Sequence, residues 1–188
     1  GKSLYVLGHR DDLMVMRSDD WGTTWSKTVK LSQGQHWHAS ATNVWYKKDY
    51  VYLVMERRTK NRVEGWKPSE LAPVLMRGNI HQDLTKKENW TFATEMTFSD
   101  VVDDKELDWF GVPFYDSFYP NMKTLIWEKN KRASFAPTGW LEANVVQIMD
   151  KHHYWYDPSG KTFHIFMRTN TGRTNIGCMI KAVEHEDG

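Results

Sequence analysis

Several side chains in this sequence are of the types that move protons or hold an anion, and they recur near the ends of strand-like segments. In "QHWHAS", His36 and His38 are two residues apart, so on an extended strand both rings fall on one side and Trp37 on the other. Glu56 and Arg57 end "YLVMER", Glu142 and Asn144 open "LEANVV", and Arg168 and Arg173 flank "TNTG". Arginine presents a rigid fork of donors that suits a carboxylate-bearing sugar. Carboxylates supply the acid and base of glycosidic cleavage. A histidine such as His38 is the residue type that would abstract a proton beside a uronic acid carboxylate. His38 and Glu142 are therefore read as catalytic candidates, and His36, Glu56, Arg57, Asn144, Arg168 and Arg173 as substrate-binding ones.

Other motifs imply less. His36 and His38 together with the His152-His153 pair have metal-ligand chemistry, but no cysteine joins them and no third ligand stands at a fixed spacing, so no metal is expected. "SGKT" at 159–162 resembles the end of a phosphate-binding loop, yet Trp155 stands where its first glycine belongs, and "DPSGK" reads as a hairpin turn. Asn89-Trp90-Thr91 is a glycosylation sequon. "GVPFYDSFYPN" (111–121), with Tyr115, Asp116, Phe118 and Tyr119, reads either as a loop that stacks on sugar rings or as a cover for the core. No cofactor is called for.

Composition limits the class of protein that must position these groups. The chain has 188 residues, enough for one ordinary domain, and its 25 basic and 24 acidic side chains leave a net charge of +1. No charge asymmetry points to nucleic acid, and the apolar runs are too short for a membrane span. The single cysteine, Cys178, cannot form an internal disulfide. The chain opens directly on a strand-like segment with no leader or initiating methionine, which reads as a fragment boundary. Ten tryptophans, eight tyrosines and eight phenylalanines suit sheet faces and carbohydrate-binding surfaces alike.

Alternation of apolar with polar residues predicts an almost all-β chain. "SLYVLGH" and "DLMVMRS" read as a hairpin and "SKTVKL" as a third strand; "HWHASATNVWY" and "YVYLVMERR" follow, then "LAPVLMRGNI" and "WTFATEMTF". After the weakly helical "SDVVDDKELDWF" come "GWLEANVVQIMD", "HYWYD", "TFHIFMRTN" and "NIGCMIKAVE". Two of these sets can be superposed: "ATNVWYKKDYVYLVMERR" lies on "EANVVQIMDKHHYWYDPSGKTFHIFMRTN", with Asn43 matching Asn144 and Met55 matching Met167. A recurring antiparallel unit separated by variable loops is the pattern of a β-propeller, with a sandwich as the alternative.

The stretch "RSDDWGTTW" strengthens the propeller expectation. Ser18, Asp20, Gly22, Thr24 and Trp25 fit Ser-x-Asp-x-Gly-x-Thr-Trp, which resembles the Asp-box of sialidases and related propeller glycosidases. An aspartate there can accept several backbone amides, and the glycine supplies a positive-φ corner. In that family the box is structural, at the outer edge of a blade. The resemblance extends to "LYVLGHRDDLMVMRSDDWGTTWS" and, more loosely, over most of the chain. It implies that Arg10 belongs to a carboxylate-binding arginine cluster and that Asp11 or Asp12 is a general acid. It also implies a secreted or periplasmic location, a carbohydrate substrate, and cleavage of an acidic or terminal sugar by acid-assisted hydrolysis. On this reading 1–31 ends one blade, 32–100 form a second, 101–138 connect and 139–188 form a third. That is about half of a six-bladed ring, to be completed by the rest of a longer chain or by further copies. Alternatives of other classes are a non-catalytic propeller that binds glycan or protein, and a uronic-acid polysaccharide lyase.

Overall fold

The computed structural model describes residues 2–40, 42–59, 68–101, 139–170 and 175–187. Arg173, the loop 111–121 and the 102–138 part of the connecting segment lie outside them. The described residues form three antiparallel sheets, none of which closes on itself, with helical content limited to single turns such as α1 (Phe98–Val101).

The first sheet is β1 (Leu4–Arg10), β2 (Asp12–Ser18) and the two-residue β3 (Val29–Lys30), in that order. β1 and β2 pair down to Arg10 opposite Asp12, so Asp11 alone turns the hairpin, at φ 61°. The second sheet is built on β6 (Tyr50–Arg58), which pairs along its length with β7 (Leu71–Asn79), itself paired to β8 (Trp90–Phe92). The stretch expected as one strand, "HWHASATNVWY", is two short strands, β4 (His36–His38) and β5 (Trp45–Lys47). β4 pairs with Glu56–Arg58 and β5 with Tyr50–Tyr52. The third sheet is β9 (Gly139–Val146), β10 (Thr162–Asn170) and β11 (Asn175–Val183). "HYWYD" is turn rather than strand, because Asp157 gathers the amides of Ser159, Lys161 and Thr162 into the loop before β10.

The second sheet is covered on both faces. Val51, Leu53 and Met55 of β6, with Val74 and Met76 of β7, pack against Leu13, Val15 and Leu31 of the first sheet and its loop. Tyr52 and Val54, with Leu75, point the other way and meet Trp140, Ala143, Val145, Phe163, Ile165 and Met167 of the third. This explains the unbroken apolar run "VYLVM": a strand buried on both faces loses the alternation that a half-exposed one shows. Met55 and Met167, matched in the internal repeat, are equivalent in space too. Each turns toward the preceding sheet.

Polar side chains join the sheets where strands diverge. The Asn43 amide group pairs with the backbone of Val145 in both directions, donating to its carbonyl (2.7 Å) and accepting its N–H (2.8 Å). The Asn43 N–H in turn donates to Asn144 Oδ1 at 2.9 Å. Between the first and second sheets, Trp37 N–H donates to the Asp11 carbonyl at 2.8 Å. The turn after β2 is held by Asp20, which accepts Thr24 N–H (2.8 Å), Thr24 Oγ1 (2.6 Å) and Ser18 Oγ (2.7 Å). Gly22 adopts φ 89° there, and Trp25 Nε1 closes back on its carbonyl at 3.1 Å.

Candidate functional site

One end of the three sheets collects the titratable side chains. The C-terminal end of β1 supplies His9, β4 supplies His38, the C-terminal end of β6 supplies Glu56, and the bulged part of β9 and the facing part of β10 supply Glu142 and Arg168. Their contacts run unbroken across the sheets. The His9 and His38 rings lie with centroids 5.8 Å apart, tilted by 41°. His38 Nδ1 is 2.5 Å from Glu56 Oε2, and Ser40 Oγ donates to the same oxygen at 2.7 Å. Glu56 Oε1 accepts the backbone N–H of Glu142 at 2.5 Å. The Glu142 carboxylate takes the Arg168 fork on both oxygens, at 2.9 and 2.8 Å.

The geometry separates supporting groups from presented ones. Glu56 is 2% exposed, whereas the His38 side chain is 40% exposed. A buried carboxylate only accepts, so Nδ1 is the protonated nitrogen and Nε2 is the atom left to act. This is the arrangement in which a buried acid fixes the tautomer and orientation of a working imidazole. Glu56 thus stands behind His38, its carboxylate engaged by His38, Ser40 and the Glu142 amide.

Glu142 has φ 61°, in the left-handed region that a non-glycine residue seldom occupies. It lies at the register shift between β9 and β10, near Phe166 and Arg168. The bulge turns its amide onto Glu56 and its carboxylate onto Arg168. Strain of this kind persists where the surroundings over-determine the backbone, and functional sites are where it collects.

The other sequence candidates are distributed as follows. Asp12 is buried and accepts from Gln35 N–H (2.9 Å), Lys30 Nζ (2.9 Å) and Ser32 Oγ (3.0 Å). The Gln35 amide, then Lys30, hold its carboxyl well below the usual carboxylate range, which leaves it no proton to give at neutral pH. Asp11 is exposed and meets His36 Nδ1 at 3.3 Å. Arg10 ends β1 and is exposed. Arg57 donates to the His36 and Arg58 carbonyls, both at 3.0 Å, and lies over the Trp37 ring. Asn144 is spent on the inter-sheet junction, its Oδ1 accepting the Asn43 N–H at 2.9 Å, while its Nδ2 donates within β9 to the Glu142 carbonyl at 3.0 Å. Sequence reasoning passed over His9, although a signal was there. Tyr5, Leu7 and His9 alternate along β1, the first two packing on the core, so His9 continues their stripe at its open end. His9 is itself an exposed residue, but partial desolvation of its ring, and then the neighbouring His38, lower its pKa below the ordinary histidine value, against a smaller opposing pull from Asp11.

The opposite end of β6 holds a different cluster. Tyr52 donates to Glu184 Oε1 at 2.5 Å, and Lys47 (2.6 Å) and Arg77 (3.1 Å) also reach that carboxylate. Residues 132 apart in sequence thus form a tyrosine–glutamate pair. Burial and Glu184 push the Tyr52 hydroxyl up, away from phenolate character. A cavity of about 330 Å³ opens there beside Tyr52, Arg77 and Glu184, and another of about 710 Å³ lies near Tyr5, Tyr46 and Trp90. Neither includes the His9–His38 pair. Among the described residues no group of three or more His, Cys, Asp or Glu side chains is gathered as a metal ion would require.

Comparison with protein-family models, with curated proteins and with solved structures gives no match to this chain.

Proposed function

We propose that the chain is part of a sialidase-like β-propeller that cleaves a glycan beside a carboxylate-bearing sugar, with His38 as the proton-transfer residue. The observation that carries this reading is the contact of the exposed His38 with the buried Glu56. A carboxylate removed from water is retained at a cost of several kcal/mol unless it is fully partnered. Here its partners are a hydroxyl, a strained backbone amide and an imidazole that reaches solvent. The Asp-box pattern at Ser18–Trp25 supports the family, and the three face-to-face sheets in chain order support the propeller, about half of a six-bladed ring.

The outward faces fit the same reading. Leu4 and Val6 on the first sheet are 39% and 46% exposed, and Phe166 and Val183 on the third are 39% and 56%. In a ring these faces meet further blades, from a longer chain or from a second copy. Asp11 and Arg10 are exposed at the same end, and Glu142 and Arg168 are paired to each other there.

A non-catalytic propeller is the second reading. It is favoured by the mutual closure of Glu142 and Arg168, which ties up a cation that an acidic sugar would use. The test is product analysis after incubation with oligosaccharides ending in acidic sugars. Cleavage that falls on the order of 10²- to 10⁴-fold in His38→Gln supports the enzyme reading. Turnover unchanged in that variant, or glycan binding without turnover, rejects it.

A further inference from the structure

We infer that His9 and His38 act as a base and acid pair on one side of the sugar, and that the cleavage is a β-elimination on a uronate whose glycosidic oxygen lies β to its carboxylate. This rests on the proposed glycan-cleaving function and assigns its reaction type and substrate class.

The argument is geometric. An inverting hydrolase sets its two groups on opposite faces of the ring with room for a water, on the order of 6.5–9.5 Å apart, and a retaining one replaces the base by a nucleophile that bonds to the sugar. The histidines fit neither arrangement. Their centroids are 5.8 Å apart, too close for a sugar ring to pass between, and both groups are imidazoles. Two proton-transferring groups on one side suit an elimination in which the proton and the leaving oxygen depart from the same face.

Their surroundings divide the roles. His38 donates its Nδ1 proton in a hydrogen bond to the buried Glu56, which leaves Nε2 as the atom turned to the leaving oxygen. Facing His9 are His38 from β4, Asp11 in the hairpin turn, and Glu56 and Arg58 from β6. Partial desolvation of an otherwise exposed side chain, with the His38 ring 5.8 Å away, favours its neutral form, which is the form that accepts a proton. His9 is on this account the base, and His38, held by the carboxylate behind it, the acid.

The step balances as written. A neutral His9 nitrogen takes the proton from the carbon next to the carboxylate. The electron pair of that C–H bond becomes the new carbon–carbon double bond, and the bond from the neighbouring carbon to the glycosidic oxygen breaks. His38 Nε2–H protonates the departing oxygen. The products are an unsaturated uronate and a free hydroxyl end, and solvent returns His9 and His38 to their starting states.

The experiment is incubation of the whole chain with a 4-linked polyuronate whose C5 proton and O4 lie on one face, polyglucuronate or polymannuronate, followed by near-ultraviolet absorbance and mass spectrometry of the products. The expected result is growth of an absorbing product lighter by one water than the hydrolytic one. Turnover falls on the order of 10²- to 10⁴-fold in both His9→Gln and His38→Gln. The acid limb of the kcat/KM profile, set below an ordinary histidine, disappears in His9→Gln, which loss of a merely structural residue would not do. A proton NMR titration adds a test independent of substrate: the His9 ring titrates low in the native chain and moves upward in His38→Gln. Saturated, hydrolysed products, or a His9 titration indifferent to His38, overturn the pair while leaving the glycan-cleaving reading in place. Absence of cleavage of any acidic glycan overturns both.

Discussion

Glu56 Oε1 accepts the backbone amide of Glu142, a residue held at φ 61°, and this one contact connects the centre of the second sheet to the bulge of the third. Its other oxygen holds His38. The orientation of the exposed imidazole therefore depends on the packing of two sheets and not on β4 alone, which is only three residues long.

Removing that carboxylate tests the dependence. Glu56→Ala leaves the Glu142 N–H and the Ser40 hydroxyl without their acceptor in a site that is 2% exposed. Buried groups stripped of a partner cost about 1–3 kcal/mol each. The variant is expected to unfold at lower urea with an unchanged m-value, read by tryptophan fluorescence. A midpoint equal to that of the native chain would show the contacts to be dispensable.

Asn43 is the corresponding test of the sheet junction. Its side chain stands in for a strand partner of Val145, so Asn43→Ala breaks a donor and an acceptor contact together. The expected loss is about 2–3 kcal/mol in chemical denaturation. Asn43→Asp keeps the shape but cannot donate to the Val145 carbonyl, and is expected to fall short of the native stability as well.

Gly78 is required by space. A Cβ there would lie 2.8 Å from Leu84 Cδ2 and 2.8 Å from Trp90 Cζ3, within the core between the first and second sheets. Gly78→Ala is expected to destabilise by about 1–3 kcal/mol through overpacking, seen as a lower thermal midpoint. A neutral substitution would mean that the indole moves aside freely.

The turn of residues 18–25 makes stability fall in acid. Hydrogen bonds from Thr24, then Ser18, lower the Asp20 pKa from 3.8 to about 2. A carboxyl depressed in the folded state contributes stability that is fully present well above pH 3.8 and is lost as pH falls from there through about 2. Asp12, depressed in the same direction, adds to the loss at the first sheet. Thermal midpoints measured from neutral pH downward are expected to decline in that window, and less steeply in Asp20→Asn. An identical decline in the variant would assign the acid sensitivity elsewhere.

Local sequence signals decided the strands and the turns. Alternation along β1 and β2, the apolar run of β6 and the aspartate-glycine turn after β2 depend on neighbours a few residues away, so the chain states them directly. The internal repeat also had physical content, since Asn43 and Asn144, matched by sequence, meet at one junction. Which side chains share a site was decided by tertiary structure. Asp11 and Asp12 are adjacent in sequence, yet the hairpin leaves one in solvent and ties the other to Lys30, Ser32 and Gln35. His9, His38, Glu56 and Glu142 come from three different sheets, and Tyr52 meets Glu184 from the far end of the chain. Such meetings follow from how sheets stack and how a bulge turns one amide. Packing between elements sets those distances, and sequence spacing within an element carries no record of them.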